Sequence, residues 1–123
     1  MQSSNEKFKS ELKKRVYLWT LSLIKFLKTL PKNYVNEVLG KQLLRSGTSI
    51  LANFIEAQAA SSRKDFTNFI NYSLKSANES KVWLCLLKDS LPKDYEAVSG
   101  SLLKEAVEIS NIFGKVMTTL RNK

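Results

Sequence analysis

RSGTSILANFIE, residues 45–56, is the most informative run of this sequence, and SSRKDF, residues 61–66, follows it closely. At 3.6 residues per turn, one broad helical face collects most of the apolar residues of this region: Leu43, Leu44, Gly47, Ile50, Leu51, Phe54 and Ile55. The opposite stripe is charged only at its ends and small or neutral between them: Arg45, Ser49, Ala52, Asn53 and Glu56. Because a solvated helix face normally carries Lys, Glu and Gln, this composition favours a helix packed on more than one side. The alternative is a small-residue face that is open to water.

Helical periodicity runs through nearly the whole chain and predicts helices at residues 4–30, 33–60, 63–89 and 94–120. Ser3 with Glu6 and Ser62 with Asp65 have the spacing of helix N-caps, and Asp65 itself is a candidate cap. Pro31 ends the first helix. Short connections force neighbouring helices to be antiparallel. The sequence therefore predicts a single-domain, all-α, up-down-up-down four-helix bundle spanning residues 1–123.

Each predicted helix has an apolar face for the core of this bundle. In the first helix the face consists of Phe8, Leu12, Val16, Trp19, Leu23, Phe26, Leu27 and Leu30. In the third it consists of Phe66, Phe69, Ile70, Ser73, Leu74, Ala77, Leu84 and Leu87. In the fourth it consists of Leu102, Ala106, Ile109, Phe113, Val116, Met117 and Leu120.

A surplus of apolar residues lies outside these core faces. On the first helix the surplus is Tyr17, Leu21 and Ile24, and on the third it is Tyr72, Trp83 and Leu86, with Glu79 on the same stripe. Contiguous apolar surface with Trp and Tyr anchors usually marks an interface. We therefore predict self-association through these residues. The alternative is that they are singly exposed aromatics, which monomers tolerate.

Composition excludes several classes of function. The chain has no histidine, so the commonest general base and metal ligand are missing, and its 11 carboxylates show no metal-ligand spacing. Its one cysteine, Cys85, cannot form an intramolecular disulfide. A lysine-assisted serine or an all-carboxylate magnesium site remains open, but no motif proposes either. We expect a non-enzymatic cytoplasmic protein that has no cofactor, metal or membrane span.

The charge balance favours polyanionic partners, because 20 Lys and Arg stand against 11 Asp and Glu and give a formal net charge of +9. Lys7, Lys14, Lys25 and Lys28 lie along one side of the first helix, with Arg15, Lys9 and Lys13 beside them. No recognition-helix or base-stacking motif is present. The residues therefore predict salt-dependent contacts with phosphates, in RNA more than DNA, through Lys7, Lys14, Arg15, Lys25 and Lys28. Ordinary solvated lysines are the alternative.

Three motifs carry a resemblance to a known family: Arg45-Ser46-x-x-Ser49-Ile50-x-x-Asn53-x-x-Glu56, Ser62-x-x-Asp65-Phe66, and Ser76-Ala77-Asn78-Glu79-x-x-x-Trp83-Leu84. Together they resemble the small four-helix-bundle proteins encoded in intervening sequences of bacterial 23S ribosomal RNA genes, over residues 7–121. That family is similar in fold to the accessory protein of diversity-generating retroelements, a five-membered barrel that binds nucleic acid and a reverse transcriptase. The resemblance implies a homopentamer with a basic surface. Ala57 and the segment 58–60 depart from the family pattern. This departure argues against a role in binding for the turn between the second and third helices.

The motif residues Arg45, Ser49, Asn53, Glu56 and Asp65 read better as architecture than as an active site. Arg45 and Glu56 are too far apart to pair within one helix, so we expect their partners on other helices or subunits, with Glu79 and Asp65 as candidates for Arg45. We expect Ser49 and Asn53 to satisfy neighbouring polar groups.

Three functional readings follow. The first is an oligomer that binds structured RNA through lysines. The second is an adaptor that binds another protein, such as a polymerase, through Tyr72, Trp83 and Leu86. A membrane-surface role is weaker, because the apolar face of the first helix is needed for the core.

Overall fold

The computed structural model describes residues 3–122. It consists of four long helices: α1 (Ser4–Lys28), α2 (Tyr34–Gln58), α3 (Arg63–Ser90) and α4 (Glu96–Arg121). A short 3-10 turn, Lys93–Tyr95, precedes α4. The prediction of an all-α four-helix bundle is confirmed, and the observed helix ends lie within two residues of the predicted ones.

Side-chain caps fix three of the helix starts. The Ser3 hydroxyl accepts a hydrogen bond from the Glu6 amide at the start of α1, and the Glu6 carboxylate accepts one from the Ser3 amide. Asn33 caps α2. Ser62, rather than Asp65, is the N-cap of α3, because its hydroxyl accepts from the Asp65 amide at 3.1 Å. Asp65 lies in the first turn, where a carboxylate complements the positive end of the helix dipole.

Prolines account for the end of α1 and for the late start of α4. α1 ends at Lys28, ahead of Pro31, and the Tyr95 hydroxyl donates to the carbonyl of its C-cap residue Thr29 at 2.9 Å. Pro92 precedes the 3-10 turn, so α4 begins only at Glu96. This turn is the reason why α4 starts later than the predicted residue 94.

Each helix packs against its neighbours in sequence, and α1 also packs against α4, which closes the bundle. α1 and α3 therefore lie at opposite corners. The closest pair is α2 and α3, where small residues let the backbones approach. The Ser46 and Ser80 hydroxyls lie 2.8 Å apart, and the Ser73 hydroxyl donates to the Ile50 carbonyl at 2.9 Å.

Gly47 supplies the close approach of α2 to α1. A Cβ atom there would collide with the Leu23 side chain and would lie 3.4 Å from the Trp19 ring.

Three residues of the predicted core faces are exposed. Phe8, Leu44 and Ile55 keep 47%, 41% and 42% of their surface accessible. Phe8 lies in the second turn of α1, at the open end of the bundle, and Leu44 and Ile55 lie at the edge of an apolar arc on α2 that is wider than its neighbours cover. The assignment of Phe8 to the core was therefore wrong, and the broad apolar face predicted for the second helix is only partly buried.

Candidate nucleic-acid and subunit interfaces

The predicted phosphate-binding lysines lie on the outer face of α1. Lys7, Lys14, Lys25 and Lys28 are all exposed, and we call them the lysine row. They span roughly 32 Å, at 1.5 Å of helix rise per residue. Within residues 3–122, none of the four forms an ion pair. Their ammonium groups therefore remain available to an external anion.

The lysine row is interrupted at its centre by two apolar residues. Leu18 and Leu21 lie on the same face between Lys14 and Lys25, and Leu18 is 51% exposed. Leu18 is not among the residues predicted for either surface, although its position four residues after Lys14 places it on this face. The row consequently has two cationic ends separated by an apolar middle.

Arg15 departs from the predicted phosphate-binding set. Its Nε donates to Glu105 Oε2 at 2.6 Å, and its Nη2 donates to Glu105 Oε1 and Glu108 Oε2, each at 2.7 Å. The hydrogen bond from Arg15 lowers the pKa of the Glu105 carboxyl, and the Glu105 carboxylate in turn raises the pKa of Arg15. Because its Nε and Nη2 are engaged by two carboxylates of α4, Arg15 ties α1 to α4, and we remove it from the phosphate-binding set.

Charge is distributed unevenly among the helices. The basic residues of α1 are Lys7, Lys9, Lys13, Lys14, Arg15, Lys25 and Lys28, against only Glu6 and Glu11. In α2, Lys41 and Arg45 are balanced by Glu37 and Glu56. In α4, Lys104, Lys115 and Arg121 are balanced by Glu96, Glu105 and Glu108. In α3 the basic residues exceed the acidic ones by two: Arg63, Lys64, Lys75, Lys81 and Lys88 against Asp65, Glu79 and Asp89. α1 therefore carries the largest positive charge of the four helices.

The two side chains at the centre of the polar motif of α2 find hydrogen-bond acceptors within the same helix. The Ser49 hydroxyl donates to the Arg45 carbonyl at 2.7 Å, and the Asn53 amide donates to the Ser49 carbonyl at 2.9 Å. The expectation that these two side chains satisfy neighbouring groups is confirmed.

The charged ends of that motif have no partner within the described part of the chain. Arg45 and Glu56 are exposed, as are the proposed partners Glu79 and Asp65, and none of the ion pairs among residues 3–122 involves Arg45. A pairing of Arg45 with Glu79 or Asp65 inside one chain is therefore wrong. The α2 stripe also faces outward in the single chain, so any second packing side has to come from another molecule.

The predicted interface residues form two separate surfaces. The α3 patch consists of Tyr72, Glu79, Val82, Trp83 and Leu86 on the outer side of α3, where Tyr72, Val82 and Leu86 are 47%, 53% and 46% exposed. Val82 was missed by the sequence analysis. The α1 patch consists of Tyr17, Leu21 and Ile24; Tyr17 lies beside Leu51 and Ile55 of α2. Since α1 and α3 occupy opposite corners, one chain does not bring the two patches together.

The two tryptophans differ in their hydrogen bonding. Trp19 Nε1 donates to the Leu102 carbonyl at 3.0 Å and so joins α1 to α4. Trp83 Nε1 is buried, and no acceptor for it lies within residues 3–122. A buried donor without an acceptor costs about 1–3 kcal/mol.

Residues 3–122 offer neither a metal site nor a membrane span. Between residues 3 and 122, no three His, Cys, Asp or Glu side chains are grouped closely enough to hold a metal ion. No helix in the same range combines the length and apolar character needed to cross a membrane.

These features define the class: a basic four-helix bundle with a lysine-bearing α1 and apolar patches at opposite corners. The chain belongs to the 23S rRNA-intervening sequence protein family, whose model matches residues 9–115. It is similar to a protein of unknown function from the S23 ribosomal protein family of Bacteroides thetaiotaomicron VPI-5482, solved as a crystal structure at 1.70 Å. The two share 34% identity, with a TM-score of 0.75 over 89% of this chain and 97% of that one. No curated protein matches the chain.

Proposed function

We propose that this protein is a non-enzymatic, oligomeric nucleic-acid-binding protein whose lysine row contacts the phosphates of structured RNA. The observation that carries the proposal is the exposure of Lys7, Lys14, Lys25 and Lys28 without any acidic partner in residues 3–122. Lysines that neutralise phosphates release counterions, which supplies most of a sequence-independent affinity.

Two further observations support RNA as the partner. The largest excess of positive charge lies on α1, where seven basic residues stand against two acidic ones, while α3 has a smaller excess of five against three and α2 and α4 are balanced, so a polyanion is attracted most strongly to the α1 side of the bundle. The family is named for 23S rRNA intervening sequences. Such an activity requires no cofactor or metal, and it suits a cytoplasmic protein.

The experiment compares two variants that lose the same charge. One carries Lys→Gln at the four positions of the lysine row. The matched control carries Lys→Gln at four exposed lysines outside α1, namely Lys64, Lys75, Lys93 and Lys104. Fluorescence anisotropy with a structured RNA hairpin and the corresponding DNA hairpin would measure affinity. We expect the first variant to lose at least tenfold more RNA affinity than the control. Equal losses would show that only net charge matters, and unchanged binding in both would reject the lysine row.

Self-association is the second part of the proposal. The α1 and α3 patches lie at opposite corners, so a contact between the α1 patch of one subunit and the α3 patch of the next would be heterologous and could close into a ring. A ring of five is the state that the family resemblance implies. Tyr17 and Ile24 lie on the α2 side of the lysine row, and Leu21 lies in its apolar middle. A subunit contact through the α1 patch would therefore cover the middle of the row, between its two cationic ends.

Native mass spectrometry tests this part. We expect a closed oligomer, a pentamer, for the unmodified chain, and dissociation when Leu86→Glu places a charge in the α3 patch. Val98→Glu is the matched control, because Val98 is a similarly exposed apolar residue of α4, outside both patches. A monomeric unmodified chain would reject self-association.

A protein adaptor is the second candidate function. The exposed Tyr72, Val82 and Leu86 favour it, since aromatic and aliphatic anchors are typical of protein interfaces. Crosslinking in the native host separates the two functions. Recovery of a defined protein that depends on Leu86 but not on the lysine row would favour the adaptor.

A further inference from the structure

An apolar cavity of about 610 Å³ opens at the end of the bundle where α1 begins and α4 ends. Its deep part is built from core residues. Phe54 and Phe113 pack edge to face there, with ring centroids 5.6 Å apart, and Leu12 and Ile70 are buried beside them. These four side chains keep at most 4% of their surface accessible, so they form the floor beneath the cavity, whose volume lies within the size range of small-molecule sites.

The mouth of the cavity is cationic. Lys9 of α1 and Lys115 of α4 are exposed and line it, and none of the carboxylate side chains of residues 3–122 does. Lys9 Nζ lies 5.6 Å from the centroid of the Phe66 ring, another lining residue. Neither lysine forms an ion pair within residues 3–122. Two unpaired ammonium groups thus flank an opening that leads to apolar walls.

We propose that this cavity binds a fatty-acid anion, with the acyl chain against the apolar walls and the carboxylate between Lys9 and Lys115. The deep walls consist of aliphatic and phenyl groups, so a hydrocarbon chain leaves no polar atom unsatisfied there. A nucleobase would bury its polar edges without partners, which is costly. The cavity therefore favours an aliphatic ligand over an inserted base, and the site is separate from the lysine row.

The test uses decanoate below its critical micelle concentration as the probe and the full-length protein. Isothermal titration calorimetry should show saturable binding of one decanoate per chain. Methyl NMR should show the largest shifts at Ile112, Val116 and Leu120, which line the cavity. The absence of saturable binding, or the largest shifts outside the cavity, would overturn the proposal.

Charge dependence tests the orientation of the ligand. The Lys9→Gln/Lys115→Gln variant should bind decanoate about tenfold more weakly, because each exposed ion pair contributes a few-fold in affinity. The same variant should bind 1-decanol as the unmodified chain does, since the alcohol has no charge. The matched control Lys28→Gln/Lys104→Gln removes two exposed lysines of the same helices outside the cavity and should keep full affinity for decanoate. An equal loss in the control would show unspecific attraction and would reject the assignment of the carboxylate to Lys9 and Lys115.

Discussion

Arg15 on α1 holds the carboxylate of Glu105 on α4 through two hydrogen bonds, from Nε at 2.6 Å and from Nη2 at 2.7 Å. Such a fork-to-carboxylate pair fixes direction as well as distance. It lies beside the hydrogen bond from Trp19 to the Leu102 carbonyl, which also joins α1 to α4. These polar contacts set the register of two helices that pack less closely than α2 and α3.

Glu105→Gln should destabilise the fold by about 0.5–1 kcal/mol at neutral pH, a small value because both partners are partly solvated. The pKa of Glu105 is lowered in the folded chain, chiefly by the hydrogen bond from Arg15, so its stabilisation is complete above its ordinary pKa of 4.5. It is lost as the pH falls through the lowered pKa, where the carboxylate takes up a proton.

Urea unfolding at pH 7 and at pH 3 measures this linkage. The difference between the unmodified chain and the Gln variant should shrink at pH 3. A difference that grows on acidification would contradict the assigned direction of the Glu105 pKa. Glu96→Gln, on the same helix but outside the ion pairs of residues 3–122, serves as control.

Gly47→Ala should destabilise the protein by about 1–3 kcal/mol, because the added methyl group meets the fully buried Leu23 side chain, which has little room to move. Gly114→Ala is the matched substitution. A Cβ atom there meets nothing within 4 Å, so the change should stabilise by up to about 1 kcal/mol through helix propensity. Thermal unfolding of both variants checks the signs, and a stabilising Gly47→Ala would contradict the observed approach of α1 and α2.

Trp83→Phe should change the free energy of unfolding by less than about 1 kcal/mol, because it removes a buried donor that has no acceptor in residues 3–122. Trp19→Phe should cost more, about 2 kcal/mol, since it removes the hydrogen bond to Leu102 and leaves a cavity. Chemical denaturation compares the two. An equal cost at both positions would mean that Trp83 finds an acceptor in solution, in an assembled neighbour for instance.

Arg45→Ala should change stability by less than about 1 kcal/mol at concentrations where the chain is monomeric, because Arg45 is exposed and unpaired in residues 3–122. Lys41→Ala, one turn earlier on α2, is the control; its pairing with Glu37 at 3.4 Å is also exposed. Denaturation at several protein concentrations would reveal any assembly. A loss of about 3–5 kcal/mol for Arg45 in a monomer would contradict its exposure.

Periodicity was sufficient to predict the helices, since an apolar residue every three or four positions implies a buried helical face. The caps at Ser3 and Ser62 could also be predicted from the sequence, because an N-cap side chain bonds a backbone amide only three residues further along the chain. The role of Arg15 could not be predicted in this way: its partner Glu105 lies 90 residues away, and only the folded bundle brings the two together. The exposure of Phe8 and Leu44 could not be predicted for a related reason. Periodicity shows the direction of an apolar face, but it does not show how far the neighbouring helices cover that face.

The salt dependence of RNA binding measures how many phosphates the lysine row neutralises. If the four lysines of the row each neutralise a phosphate, the slope of log affinity against log salt should become less steep by about 3 when all four are changed to Gln. The matched variant at Lys64, Lys75, Lys93 and Lys104 should keep the original slope. A slope that is unchanged in the lysine-row variant, or equally reduced in both, would contradict the account.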